Sequence, residues 1–541
     1  MRRTLVSLIA LVSTLVLAAA AAPQAEPPQA VVATTFLISG HGWGHGAGMS
    51  QWGARGFAQE EGWTYDRILA YYYPGTELQQ AKVAKVRVLL AENAKALAVS
   101  STAPFRVRDA AATTYDLPAG ELKIGPDLTL PVDGTPTALR GPLVFQPGSG
   151  ALLALGGKAY RGELQVVSTG KRLAAIDYVG LEQYVWGVVP GEMPADWPPE
   201  ALKAQAVAAR SYALSQRVKG AGFDLYADVR SQVYLGAQGE DPRTTAAVKA
   251  TAGRALFYGG KVAIALFSSS SGGQTADSSE VLNEPQPYLV SVHDPHDTLS
   301  PWHTWGPVAI TAAKVRRALR LVGPVLDMKV VPTPSGRVRA VNVTTGASGA
   351  TVSGGALRFG LGLRSTWLTI GTLTLQRPGD PVSYGGPLTL SGAIRGVQKV
   401  SLQARFADLR AWGPVADFAP AADGTFSVVV RPTATTLYRL AGPDGLGPVL
   451  TVPVAPLVSL SRGLGRGVLT GTVAPAVPAA LVEIQQLQDD GGWAAVYQTY
   501  TDERGAFRAR LELVPGAYRA WVAPEQGLAE GISPQLEIAA P

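Results

Sequence analysis

From residue 84 to about 180 the chain alternates short apolar runs with Pro and Gly turns, as in Val86-Arg87-Val88-Leu89-Leu90. Side chains two apart share one face of a strand, so this texture predicts strands and hairpins. Residues 199–217 carry the clearest helical pattern. Pro198 and Pro199 suit its first turn, Glu200 its N-terminal dipole and Gly220 its stop. Its alanines (201, 204, 206, 208, 209 and 213) make a slim surface that packs closely on a sheet or a second helix. Residues 244–257 predict another helix, 262–268 a buried strand ending in Ser-Gly turns, and 311–321 a basic helix. After about residue 378 the pattern repeats with a period near 81. Trp412, Gly424, Phe426 and Tyr438-Arg439 recur as Trp493, Gly505, Phe507 and Tyr518-Arg519. Two small β-sandwich modules, 378–455 and 456–541, are the simplest reading. They serve as spacers or as binders of wall polymer or a protein partner; a sandwich carries no function by itself, which favours the spacer.

Composition narrows the class. Glycine (61) and proline (40) are abundant and charged residues make up only 16%, which suits a turn-rich, mostly β protein and argues against disorder or a coiled coil. A net charge of +6 spread over 541 residues is too mild for a nucleic-acid groove, though it suits work near anionic polymers. The absence of cysteine excludes disulfides, Cys-ligated zinc, iron–sulfur clusters and thiol nucleophiles. Arg2 and Arg3, an apolar run from Leu5 to Leu17 and small residues from Ala18 to Ala22 have the layout of a secretory signal over 1–22. That run is short for a membrane span. The expected mature protein is secreted, in the periplasm or cell wall, with no span after cleavage.

Three segments hold candidate chemistry. In the first, residues 180–213, Glu192 precedes the Ala-rich helix on a connection stiffened by Pro190, Pro194, Pro198 and Pro199. A carboxyl on a stiff apolar loop near Trp186, Met193 and Trp197 is partly desolvated, which raises its pKa and keeps a proton for general acid work. The competing role is a capping or salt-bridged glutamate, paired with Arg210 or Lys203. In the second, residues 39–76, glycines surround His41 and His45. A run so rich in Gly is a poor helix, so the four-residue spacing does not align the histidines. A zinc site would need a third ligand from His293, His296 or His303, and neither an H-E-x-x-H helix nor a Cys cluster supports one, so no metal and no cofactor is expected. A groove floor fits better, with Trp43, His45, Ser50 and Gln51 offering stacking and hydrogen bonds to sugars. In the third, residues 267–280, a G-x-S-x-G elbow is absent. It reads either as a plain loop or as a substrate rim built from Ser270, Gly272, Gly273 and Thr275.

Together these segments resemble the SpoIID/LytB family, the stage II sporulation protein D and amidase-enhancer group. The resemblance rests on VVPGEMPADWPPEALKAQAVAARSYA, SQVYLGAQGE, AVKATAGRALFYGGKVAIALFSSSSGG, YLVSV, SGRVRAVNVTTG, LRSTWLTI and GHGWGHGAGMSQWGARG, and covers roughly 36–372. It implies an α+β, mostly β fold: a SpoIID-like core over 30–375, with the β-rich segment 84–178 inside it, followed by the two modules. It also implies a lytic transglycosylase acting on peptidoglycan glycan strands, with Glu192 as catalytic acid and then base on the muramyl C6 hydroxyl. His41, His45, Ser50, Gln51, Ser270, Gly272, Gly273 and Thr275 would contact substrate. The non-catalytic alternative is a glycan-binding partner that stimulates a cell-wall amidase. In the sporulation proteins the GHG segment follows the LRSTW segment, whereas here it comes first, so a permuted arrangement of the same core is expected. Some family members bind zinc near the stretch matching Asp224–Tyr234, which here has neither Cys nor His.

Overall fold

The computed structural model describes residues 30–539 except 219, 417, 525 and 526. The expected signal 1–22 lies outside the described residues.

The alternating segment does form strands. A seven-stranded sheet runs in the order Leu225–Tyr226, Lys85–Ala94, Leu173–Gly180, Glu163–Ser168, Leu143–Gln146, Phe105–Arg108, Thr114–Leu117, antiparallel except for the short first pair. Its inward residues, among them Val86, Val88, Leu164 and Val166, are fully buried, as period-2 alternation requires. Helix α4, Pro199–Ser215, covers this core. Its alanines let it pack on two sides at once. Ala206, Ala209 and Ala213 face the sheet core, while Ala204, Val207 and Ala208 face a second cluster with Met49, Phe57, Tyr72 and Tyr73. Nearly all of α4 is therefore buried, a position that longer side chains would overfill.

Three further helices surround α4: α1, Gln51–Glu60; α2, Tyr65–Tyr72; and α3, Leu181–Glu192. The sequence pattern did not announce them, because α1 carries Gly53 and Gly56 and α3 carries Pro190. Both glycines have a packing cause, since a Cβ at Gly53 would strike Tyr72 and Asp294, and one at Gly56 would strike His296. The helix anticipated at 244–257 ends early. Pro242–Ala250 is helical, the chain turns, and Arg254–Tyr258 becomes a strand paired with Glu77–Gln80. The strand anticipated at 262–268 reduces to Lys261–Val262 and Phe267–Ser268, the latter parallel to Met49–Ser50. The basic helix forms over Ala312–Leu319, capped by Thr311.

The repeat recurs strand by strand. Leu388–Arg395 pairs Thr425–Val430 as Val468–Ala474 pairs Ala506–Arg510, and Ser401–Phe406 pairs Thr436–Gly442 as Leu481–Leu487 pairs Gly516–Ala523. The marker residues have matching jobs. Phe426 and Phe507 occupy the space that a Cβ on Gly392 and Gly471 would need. Arg439 and Arg519 lie over Trp412 and Trp493, 4.1 and 4.2 Å from the ring centroids. The sheet does not break near residue 378. One five-stranded sheet runs Thr304–Thr311, Val31–His41, Leu368–Arg377, Leu388–Arg395, Thr425–Val430. Its core joins Leu37 and Leu373 to Leu390, Phe426 and Val452. No helix among the described residues is long and apolar enough to cross a membrane.

One ion pair locks α3 to α4. Arg210 is fully buried and donates to both oxygens of Glu182, at 2.9 and 2.7 Å, and to the Arg254 carbonyl at 2.9 Å. Arg210→Met leaves those acceptors unpaired and is expected to lower stability by about 3 kcal/mol in urea unfolding; a loss below ~1 kcal/mol would show that the pair is not the lock.

Candidate functional site

Glu192 is the last residue of α3, rather than a loop residue, and Met193 caps the helix through its amide to Val189. Neither pairing considered for it forms. Arg210 is held by Glu182, and Lys203 bonds Glu200 at 2.6 Å. Glu200 also accepts from the Tyr65 amide at 2.8 Å, at the start of α2. Among the described residues Glu192 has no cationic partner. Burial pushes its pKa up to about 7, against a smaller opposing pull from the Val233 amide. The negative end of the α3 dipole disfavours charge there as well. Tyr184 and Tyr212 are its neighbours; burial raises their hydroxyl pKa values, and the Glu192 charge adds to the shift. Behind Tyr184, whose ring lies 5.1 Å from that of Tyr234, sits a second protonated-leaning carboxyl. Asp177 is fully buried, accepts from the Tyr234 hydroxyl at 2.9 Å, and is raised by burial to about 8.

The glycine-rich segment reaches α4, the helix that packs on α3. Gln51 donates to Gln205 of α4 at 3.3 Å, and Trp52 meets Trp197 at 4.8 Å. The ring of Tyr212 lies 6.4 Å from that of Phe267, whose backbone binds His45. Gly42, Gly44, Gly46 and Gly48 all have positive φ (73°, 127°, 84° and 71°), which accounts for glycine at every second position. At Gly48 a Cβ would also collide with the Leu266 carbonyl. The segment is thereby threaded between distant partners. His41 N–H donates to the Trp367 carbonyl at 2.8 Å, and the Ser365 hydroxyl donates to the His41 carbonyl from 324 residues away. The GHG and LRSTW segments thus touch in space although they lie near opposite ends of the core.

The anticipated rim and floor residues lie together, and most of their polar side chains are used internally. Ser50 caps α1 by accepting from Gly53 and donates to Asp297 at 3.2 Å. Ser270 donates to Asp297 at 2.8 Å, and the Gly272 amide donates to it at 2.9 Å. The Thr275 hydroxyl accepts from the Val292 amide at 2.8 Å. The Gly273 amide donates to Ser271 at 3.1 Å, and its α-carbon faces His303. His45 Nδ1 accepts from the Ala47 amide at 3.1 Å; burial, then Arg358, lowers its pKa to about 4, so the ring is neutral. The His41 ring lies tilted against Trp367 at 4.9 Å, with Nδ1 buried and unpartnered; burial and His303 lower its pKa. Sequence reasoning missed the hub of this network. Asp297, fully buried, also accepts from the Ser271 amide at 2.7 Å and from His303 Nδ1 at 3.0 Å. Its neighbour Asp294 accepts from Ser271 Oγ at 2.6 Å and Tyr72 at 3.0 Å, and burial raises it to about 6. The HDPHDTLSPWH stretch that carries both had a legible signal only in its histidines. No group of three or more His, Asp or Glu that could hold a metal ion occurs among the described residues.

The site can be set beside known proteins. Residues 169–258 match the SpoIID family model, Stage II sporulation protein, a span that contains Glu192 and α4. Stage II sporulation protein D of Bacillus subtilis is 32% identical over 210 residues, covering 35% of this chain and 60% of that protein. The amidase enhancer of the same organism is 41% identical over 116 residues, 21% of this chain and 16% of the enhancer. An uncharacterised Brachyspira hyodysenteriae protein is 37% identical over 153 residues, 28% of this chain and 41% of that one. The chain thus spans less than two thirds of each of these relatives. A solved cytokine receptor complex overlaps 29% of the chain and 92% of its own at 12% identity, but at a TM-score of 0.20 it says nothing about the fold. Residues 169–258 thus carry a SpoIID domain, and the chain is similar to stage II sporulation protein D and the amidase enhancer.

Glu192 carries a stability signature. Its folded pKa of about 7 lies above the ordinary 4.5, so the unfolded chain loses the proton first as pH rises. Stability therefore falls between those two values and is flat above them. Glu192→Gln lacks this penalty. Its unfolding free energy is expected to match wild type below pH ~4.5 and exceed it by about 1–3 kcal/mol at pH ~8. A gap that does not widen with pH in urea titrations would contradict the raised carboxyl.

Proposed function

We propose that this chain is an exported peptidoglycan-active lytic transglycosylase that cleaves glycan strands between N-acetylmuramic acid and N-acetylglucosamine. One observation carries the reading: Glu192, without a cationic partner among the described residues, keeps its proton to about pH 7 at the end of α3, linked to the glycine-rich segment through Tyr212 and Phe267. Ordinary glycosidases use two carboxylates. Here one suffices, because the substrate supplies the nucleophile. Glu192 protonates the glycosidic oxygen as the bond to C1 breaks. The resulting carboxylate takes the proton of the muramyl C6 hydroxyl as that oxygen closes on C1, leaving a 1,6-anhydro end and a regenerated acid. Proximity within one sugar ring replaces a second protein group. His41, His45, Ser50, Gln51, Ser270, Gly272, Gly273 and Thr275 form the wall facing this step. The internal bonds of Ser50, Gln51, Ser270 and Thr275 make those four supports of the wall more than hydrogen-bond partners of the sugar. The leader over 1–22 supports export to the periplasm or wall, and the second C-terminal repeat serves as a spacer, the first being built into the core sheet.

A second reading, a non-catalytic enhancer of a cell-wall amidase, draws on the similarity to the protein named amidase enhancer. Digestion of purified glycan strands by the full chain alone, followed by product mass, separates the two. The expected result is 1,6-anhydro ends from wild type and a loss of about 10²–10⁴-fold in rate for Glu192→Gln. Full anhydro yield from the variant removes Glu192 as the acid, and no product without an added amidase selects the enhancer. The rate is also expected to fall as pH rises through about 7, where the acid loses its proton.

A further inference from the structure

Beside the wall just described lies a cation with nothing to bind. Arg364 forms no ion pair and no side-chain hydrogen bond among the described residues. Its guanidinium lies 3.5 Å from the ring centroid of Trp302 and 5.0 Å from that of Trp43. The two indoles meet edge to face at 5.2 Å, and Trp43 is 42% exposed, the largest exposure of any tryptophan among the buried and exposed hydrophobics described. Such an arrangement holds five N–H donors in place without consuming them.

The backbone fixes these three side chains relative to one another. The glycines on either side of Trp43 tie it to both partners: Gly42 N–H donates to the Trp302 carbonyl at 2.9 Å, and Gly44 N–H donates to the Arg364 carbonyl at 3.1 Å. Trp43 itself exchanges two backbone bonds with Ser270, at 2.9 and 3.1 Å, and Ser270 is anchored on Asp297. His303, next to Trp302, is anchored on the same carboxylate. A carboxylate only accepts, so Nδ1 carries the hydrogen and Nε2 is left unused on a ring that is 31% exposed. The other charged groups nearby are committed: Arg337 donates to the Ser271 and Gln274 carbonyls at 2.9 and 2.8 Å, and Asp297 is sealed.

The geometry points to a binding subsite for a carboxylate-bearing saccharide, with Trp43 stacking on the sugar ring, Arg364 binding the carboxylate and His303 Nε2 reaching a hydroxyl. It rests on the glycan reading above and adds a charge preference to it. An indole face suits the apolar face of a pyranose, and a guanidinium suits the planar acid. In a peptidoglycan strand the acid comes either from the lactyl ether of muramic acid or from a stem peptide.

The test is binding rather than cleavage. Full-length Glu192→Gln protein, which leaves the ligand intact, is titrated calorimetrically with three probes: a muramyl tetrasaccharide with free lactyl groups, the same strand carrying stem peptides, and neutral chitotetraose. At least one acidic probe is expected to bind roughly tenfold tighter than chitotetraose, with an advantage that shrinks as salt rises. Which acidic probe gains identifies the source of the acid. Arg364→Gln is expected to erase that advantage, Arg364→Lys to restore part of it, and Trp43→Ala to weaken all three probes. Equal binding of acidic and neutral probes, or an unchanged preference in a folded Arg364→Gln, overturns the subsite. Cleavage retained by Glu192→Gln would instead count against the acid assignment, seen as ligand consumed during the titration.

Discussion

A single sealed carboxylate organises the half of the core that carries the glycine-rich segment. Asp297 receives donors from Ser50 at the start of α1, from Ser270, Ser271 and Gly272, and from His303. These groups come from parts of the chain as far as 247 residues apart. A buried carboxylate is tolerated only when its lone pairs are filled, so each donor is required by the others. The same requirement explains why small hydroxyl residues and glycines crowd this stretch. Only short side chains and bare amides can converge on two oxygen atoms, and only glycine leaves its amide approachable at φ 82° in Gly272.

Glu192 presents the opposite electrostatic case. Asp297 is surrounded by donors, whereas Glu192 has one backbone amide and a largely buried setting, which keeps the proton on it to about pH 7. Arg210 does not offset it, because that cation spends its charge on Glu182 and on the Arg254 carbonyl. Had Arg210 turned to Glu192, the acid would have become an ordinary carboxylate. Two carboxylates on one helix, ten positions of α3 apart from first turn to last, thus take different roles from different partners.

The C-terminal repeats show a different economy. Each buries a Phe on a Gly and shields a Trp under an Arg, so a few positions recur while the rest drift. The first repeat continues the sheet begun by Val31–His41 and shares its core with Leu37. It therefore holds the strand that ends at His41, and through it the entry to the glycine-rich segment.

Local pattern alone was enough for the alternating strands, the Ala-rich helix, the basic helix and the 81-residue repeat. It also singled out Glu192 and the GHG run, because Pro-stiffened and Gly-rich stretches stand out from any background. The early end of the 244–257 helix and the helicity of residues 51–60 and 181–192 were settled by packing, where Gly53 and Gly56 fit under Tyr72 and His296 and Pro190 sits late in its helix. Only the tertiary structure brought Trp43, Trp302 and Arg364 together, gave Arg210 to Glu182, and made Asp297 the hub. Backbone preference is read over a few residues, but a side chain's charge state and partners depend on what is buried against it, and those groups lie hundreds of positions away.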